Sequence, residues 1–378
     1  MKQINVLHLG KFYPIIGGVE KVMYDLCTGL SKRGIHADML CASVDNQTQV
    51  ISINSLFSIL CTPSWAKAMA TMISPSMILR LKSICNKYDI IHIHHPDPMA
   101  CLSLFLSGYK GKVVLHWHSD IVKQSFALKF YNPLQNWLIR RADVIVGTSV
   151  VYLKESPFLT SVQNKCVALP IGIYEPMHND QKAINIRKRY RGKRLLFSLG
   201  RLVEYKGFQY LIQALSLLPQ DYCLVLGGAG PLDAKLKSII VSNNLQERVL
   251  MPGRLSDEDV YAYFEAADVF VFPSIMKTEA FGIVQIEAMA FGTPIVACKI
   301  EGSGVPWVNK DGYSGINVEP QNPNALADAI QSLLNNEQTY SQYCVNARNR
   351  YEEMFTIDKM VDNCIAIYKP LINNDLLR

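Results

Sequence analysis

Five of the eight histidines in the chain fall in two short stretches, HIHHP around His92, His94 and His95 and HWHSD around His116 and His118. Imidazoles at this density can ligate a metal, act in catalysis or fill a core. A zinc site needs three or four convergent ligands with partners behind them. On a strand, His92 and His94 share one face with His95 opposite, which supplies no such set without help. His116, inside an apolar run, reads as structural. His118 opens a polar turn that ends at Asp120, and reads as a polar contact at a strand's end.

Cations and carboxylates gather in the second half. Arg201 and Lys206 lie in LGRLVEYKGF, between a strand and a helix. There they suit a diphosphate, Arg through its planar fork and Lys as a point charge; solvated surface charge is the plainer alternative. In FPSIMKTEAFGIVQIEAMAFG, Gly282 separates a loop carrying Glu279 from a helix carrying Glu287. The amides of Phe281, Gly282, Ile283 and Val284 would form the helix start, where N–H groups and the helix dipole hold an anion. Glu287 is placed to accept from sugar hydroxyls. Gly17 and Gly18 precede another amphipathic helix, as an anion-binding start or a plain flexible turn. The turn Gly227–Gly230, which includes Gly228, matches GxGxxG only loosely, because Pro231 and Leu232 fill the later positions.

Short β-branched runs alternate with helical patterns in both halves, the mark of βαβ units and parallel sheets. The first series reads NVLHLG, ADMLCAS, IIHIHH, KVVLHWH, DVIVGTS and KCVALPIG; the second reads RLLFSLG, YCLVLGG, RVLMPG, DVFVFPS, PIVACKI and GINVEP. A polar join between Glu175 and Lys193 separates them. The expected fold class is α/β, with two Rossmann-like doubly wound domains, residues 1–175 and 176–355. Ligands should bind beyond the strands' carboxyl ends, in a cleft. The tail 356–378 has apolar positions at helical spacing, Met360, Cys364, Ile365 and Ile367. The stretch 51–80 is apolar, basic and free of acids, and reads as helices packed on the sheet or as a face for a lipid.

The net charge of +6 is uneven: residues 1–175 hold 17 Lys and Arg against 10 Asp and Glu, the remainder 21 against 22. A basic first half suits a phospholipid surface or phosphorylated lipid, or merely aids solubility. Nucleic acid is disfavoured, since no basic run is interleaved with aromatics. No run approaches the ~18 apolar residues of a membrane span, and the ten scattered cysteines suit a reduced, cytoplasmic chain.

In register, GGVE from Gly17, HSD from His118, GRL-x3-KG from Gly200, GGAGPL, PGR from Pro252 and E-x7-E from Glu279 resemble glycosyltransferase family 4 over nearly the whole chain. The resemblance implies a GT-B fold, with the acceptor on the first domain, the sugar nucleotide on the second and a C-terminal helix crossing back. It implies a retaining transferase with no bound metal and no cofactor. Arg201 and Lys206 would then neutralise the leaving diphosphate, with Gly18 approaching it. Glu287 would take the ribose hydroxyls and Arg254 would flank the base. Glu279 with the Phe281–Gly282 amides would touch donor sugar and phosphate, and His118 would lie at the sugar.

One departure stands out: where many members carry G-G-x-x-E, this chain has GSGVPWVNKDG, with Trp307 near the acid's place. The same stretch and HSDIVKQ resemble a bacterial branch that builds O-antigens and capsules, often with GDP-mannose. The expected partners are a nucleotide-sugar donor and a lipid-linked, polyprenyl diphosphate saccharide, met in the cytoplasm or at the inner face of the membrane. A UDP-sugar transferase, a sugar-nucleotide epimerase, an inactive scaffold and a histidine-based metal hydrolase are the competing readings.

Overall fold

The computed structural model describes residues 3–68, 71–121 and 125–373. Two compact units emerge: the first runs to Gly172 and takes back the chain from Ile357, and the second is Ile173–Thr356.

Unit 1 is built on β1 (Asn5–Tyr13), β2 (His36–Ser43), β3 (Gln49–Asn54), β4 (Phe57–Pro63), β5 (Ala66–Ala68), β6 (Thr71–Ile73), β7 (Ile90–His95), β8 (Lys112–Trp117), β9 (Val144–Gly147) and β10 (Cys166–Ala168). Its main sheet has the order β10-β9-β8-β7-β1-β2-β4-β3, and every described pairing is parallel except β3 with β4. The central strands β7 and β8 are buried almost throughout, histidines included, because helices cover both faces of a parallel sheet. Chain order reverses between β1 and β7, so the loops that leave these strands diverge and open a crevice at their carboxyl ends.

The stretch 51–80 departs from the expected helices. Residues 49–63 form the β3–β4 hairpin, β5 and β6 form a second one, and a helix begins only at Pro75. The physical reason is the turn and the pairing: the Asn54 side chain accepts from the Leu56 amide at 2.8 Å, and β4 is buried over most of its length between β2 and β3. Apolar content alone does not separate strand from helix.

The C-terminal helix, Ile357–Asn373, lies on unit 1, against helix Gly18–Lys32. It buries Met360, Val361, Cys364 and Tyr368, at spacings of one, four and eight from the first, so Ile365 and Ile367 stand at the margin of the face. Gly29 leaves the space that Val361 fills: a Cβ there would come 2.3 Å from a Val361 methyl. Arg33 pairs with Asp358 at 2.7 Å and Asp362 at 3.0 Å.

Unit 2 holds β11 (Arg194–Leu199), β12 (Tyr222–Gly227), β13 (Val249–Gly253), β14 (Val269–Phe272), β15 (Ile295–Cys298) and β16 (Gly315–Val318). All are parallel, in the order β13-β12-β11-β14-β15-β16. This is the doubly wound Rossmann order, with its reversal between β11 and β14. Leu211, Leu215, Leu224, Val271 and Ile330 belong to the core between the sheet and one helix layer. The polar join turns into a helix, Asp180–Arg189, whose Arg187 pairs with Asp268.

Candidate active site

The crevice of unit 2 opens where β11 and β14 part. After β11 the chain runs through Gly200 and Arg201 to a short 3-10 turn, Glu204–Lys206, and then a helix from Phe208. Gly207, between turn and helix, has φ of +67°, and a Cβ there would stand 2.1 Å from the Pro273 carbonyl oxygen. Only glycine lets these two loops approach so closely. The result is a fixed Lys206, nearly buried, with its ammonium 4.8 Å from the Phe272 ring centre.

Lys206 is ion-paired to Glu279, which arrives on the loop after β14. Glu279 also accepts from Ser274 Oγ at 3.2 Å, and its carbonyl accepts from Ser303 Oγ at 2.5 Å. A cation held among aromatics and countered by one carboxylate can take an anionic ligand by exchanging partners. Arg201 is exposed in the same loop, and no ion pair to it occurs among the described residues.

Gly282 (φ +78°) caps helix Ile283–Ala290, and its carbonyl accepts from the Gln285 amide at 2.9 Å. The buried Gln285 side chain donates to the Phe281 carbonyl at 2.9 Å, which fixes the cap. Such a start leaves its first N–H groups without intrahelical partners, available to oxygen. Glu287 is half-buried one turn along the same helix. Lys206 thus ends the short turn after β11, while Glu279, Phe281 and Gly282 lie in the loop after β14 and Ile283, Val284 and Glu287 on the helix that follows it.

Gly228 and Arg254 stand on the neighbouring strand ends. A Cβ on Gly228 (φ +132°) would fall 1.9 Å from the Gly200 carbonyl oxygen, so this glycine serves the packing of the β12 loop on the β11 loop. Arg254 is exposed after β13, and the Gly228 amide donates to the Gly253 carbonyl at 2.8 Å. Trp307 belongs to an aromatic group with Phe281 (6.5 Å) and Phe355 (5.9 Å), and the Arg350 guanidinium lies 5.6 Å from its ring centre. In place of an acid, this chain sets a hydrophobic brace behind Phe281.

In unit 1, Gly17 caps helix Gly18–Lys32 and its carbonyl accepts from the Lys21 amide at 3.1 Å. Two residues escaped the sequence reading. Lys11 donates from its backbone amide to Asp97 and from its ammonium to the Pro96 carbonyl, and Asp97 also caps the next helix by accepting from Met99 and Ala100 at 3.0 Å. Burial lowers the Lys11 pKa and the Asp97 charge opposes that shift. Nothing in the spacing of a lysine and an aspartate 86 positions apart marks them as partners.

His118 is buried, 5% exposed. Its Nε2 lies 2.9 Å from His94 Nδ1 and its ring stacks on His116 at 3.9 Å. Burial, reinforced by His116, pushes its pKa well below the usual imidazole range, so the ring is neutral. His95 points to the other face, stacked on Trp117 at 3.8 Å. Asp120, the acid of HSD, holds the turn: it accepts from Trp117 Nε1 at 2.8 Å and Ser156 Oγ at 2.7 Å. Ligand atoms of His92, His94 and His116 lie within 4.8 Å of one another. The strand pattern gave no hint of that convergence, because His116 arrives on a different strand.

Two families match this sequence: glycosyl transferases group 1 over residues 179–350, and glycosyltransferase family 4 over residues 16–152. O-antigen chain mannosyltransferase C of Escherichia coli is 36% identical over 385 residues, spanning 98% of this chain and 100% of the relative. The D-rhamnosyltransferase WbpZ of Pseudomonas aeruginosa is 31% identical over 358 residues, spanning 93% and 92%. Among solved structures, sucrose-phosphate synthase of Thermosynechococcus elongatus matches with a TM-score of 0.77 at 21% identity, over 99% of this chain and 100% of the other. That last likeness speaks for the fold alone, the GT-B fold built of two Rossmann-like units.

Proposed function

We propose the following reaction for this chain, which belongs to glycosyltransferase family 4: a sugar moves from a nucleoside diphosphate donor to a lipid-linked saccharide, with retention and without a resident metal. The observation that carries the reading is the Lys206–Glu279 pair beside the start of helix Ile283–Ala290, at the strand reversal of unit 2. In this reading the diphosphate displaces Glu279 from Lys206 and takes a second cation from Arg201. The amides at Phe281–Val284 supply further donors, which cost no reorganisation when charge develops on the leaving group. Glu287 accepts from the ribose and Arg254 flanks the base. Glu279, once released, is free to contact the sugar.

The bond from the anomeric carbon to the diphosphate oxygen breaks as the acceptor hydroxyl attacks on the same face. The hydroxyl proton passes to a diphosphate oxygen, so no side chain needs to be a strong base. Positioning and electrostatics then carry the rate.

The relatives' names favour mannosyl or rhamnosyl transfer in O-antigen assembly, with GDP-mannose the first donor to try and a UDP-sugar the second. A lipid-linked acceptor is supported by the basic first half and by exposed Trp65 (76%) beside Lys67 on the β5 hairpin. No helix among the described residues is long and apolar enough to cross a membrane, and the reading places the enzyme peripherally on the cytoplasmic face. The test is release of nucleoside diphosphate from sugar nucleotides in EDTA, with and without polyprenyl diphosphate saccharide. Release that requires both acceptor and the matching donor supports the reading; strict dependence on added divalent metal contradicts its metal-free part.

A further inference from the structure

The main sheet of unit 1 is covered by two helix layers of different charge. From β4 the chain steps back through β7 and β8 to β9, and right-handed crossovers put helices Pro75–Ile84, Pro98–Ser107 and Ser125–Arg141 on one face. They pack side by side in that order. The step from β1 to β2 runs the other way, so helix Gly18–Lys32 lies on the opposite face with the C-terminal helix.

The opposite layer neutralises itself: Lys21 pairs with Asp25 at 3.0 Å, and Arg33 with Asp362 at 3.0 Å. The three-helix layer has no such means, because none of its helices contains an Asp or Glu. Arg141 is engaged by Asp143 just beyond the layer. Arg80, Lys82 and Arg140 are exposed on it, and exposed Lys87 and Lys110 follow its first two helices.

Large apolar side chains stand among these bases. Leu79 is 72% exposed beside Arg80, and Phe105 and Leu106 are 48% and 47% exposed. Trp137 meets the Phe105 ring edge-on at 4.9 Å. The β5–β6 hairpin packs on helix Pro98–Ser107, and the amide of exposed Trp65 donates to the Ile73 carbonyl at 2.8 Å, next to the start of helix Pro75–Ile84. Bases without acids, mixed with exposed leucine and aromatic rings, suit a surface that is anionic outside and apolar just beneath. Nucleic acid would use the bases but leave Leu79 and Leu106 without a counterpart.

We propose that this helix layer, with the β5–β6 hairpin at its edge, docks the protein on an anionic phospholipid bilayer. Leu79, Phe105 and Leu106 enter the headgroup boundary, and Arg80 and Lys82 meet lipid phosphates. The assignment rests on the reading of a lipid-linked acceptor and names the surface that meets the bilayer.

The test is co-sedimentation of the full chain with vesicles of equal parts phosphatidylglycerol and phosphatidylcholine, and with phosphatidylcholine alone. Wild type should bind the anionic vesicles at least about tenfold more tightly, and high salt should weaken that binding. Arg80→Glu combined with Lys82→Glu should weaken it by about 30-fold or more. Leu79→Gln should weaken it about threefold or more, since an apolar contact is lost. Melting temperature and nucleoside diphosphate affinity should not change in either variant. With polyprenyl diphosphate saccharide in detergent micelles, the charge-reversed variant should turn over like wild type; with the same acceptor in anionic vesicles it should be about tenfold slower or more. Equal vesicle binding by wild type and the charge-reversed variant, equal binding to both lipid compositions, or tighter binding of a DNA duplex than of anionic vesicles would each overturn the proposal. If vesicles bind as expected but the acceptor is used in neither form, the docking face stands and the acceptor reading fails instead.

Discussion

Lys206 and Glu279 are ion-paired across the strand reversal of unit 2, each almost withdrawn from water, at 11% and 13% side-chain exposure. The pair joins the loop after β11 to the loop after β14 and holds a cation ready for exchange. Glu279→Gln removes the competing charge. The expected outcome is tighter nucleoside diphosphate binding, by roughly tenfold, together with slower sugar transfer. Calorimetric titration paired with turnover checks both signs.

Gly207→Ala should act on the same cation through the backbone. It combines a left-handed φ with a 2.1 Å approach to the Pro273 carbonyl, so a methyl group cannot be absorbed by a rotating side chain. A loss of about 2 kcal/mol or more in stability is expected, measured by urea unfolding, and donor binding should weaken with it.

Acid should unfold the protein. Six histidines, His8, His92, His94, His95, His116 and His118, are buried with lowered pKa values, about 3 for His8, His95 and His116. Below an unfolded value of about 6.5 the unfolded chain binds protons that the folded chain refuses, so stability falls as pH drops. Each ring contributes up to about 1.4 kcal/mol per pH unit between roughly pH 6 and its folded pKa. Melting followed by circular dichroism should show Tm dropping steeply below pH 6. A flat Tm from pH 7 to 5 would mean that the rings are charged in the folded state.

Trp307→Ala removes the brace behind Phe281 and exposes the edge of the Phe281–Phe355 pair. A stability loss of about 2 kcal/mol is expected for a side chain only partly buried. The more telling readout is the donor KM, which should rise because Phe281 supports the helix start at Gly282.

Much of this arrangement was legible from local pattern. All twelve apolar runs became parallel strands, because β-branched runs between turn residues encode a buried strand within a few positions. Glu279 in a loop and Glu287 on a helix followed from the single glycine between them. The β3–β4 and β5–β6 pairings were hidden because an apolar stretch without a strict period reads equally well as helix or strand. Long-range convergence was illegible in principle: His8, Tyr368, Lys11 and Asp97 gain their meaning only when β1, β7 and the C-terminal helix meet.

Lys206 is the cation proposed to receive the donor's diphosphate. Isothermal titration of GDP, UDP, TDP and ADP into the full chain in EDTA, for wild type and Lys206→Ala, tests it most directly. One nucleotide should bind wild type with 1:1 stoichiometry, and the variant should bind it about 100-fold or more weakly, the scale of one lost charge-assisted contact. Binding of equal strength to both proteins, or to neither, would contradict the assignment.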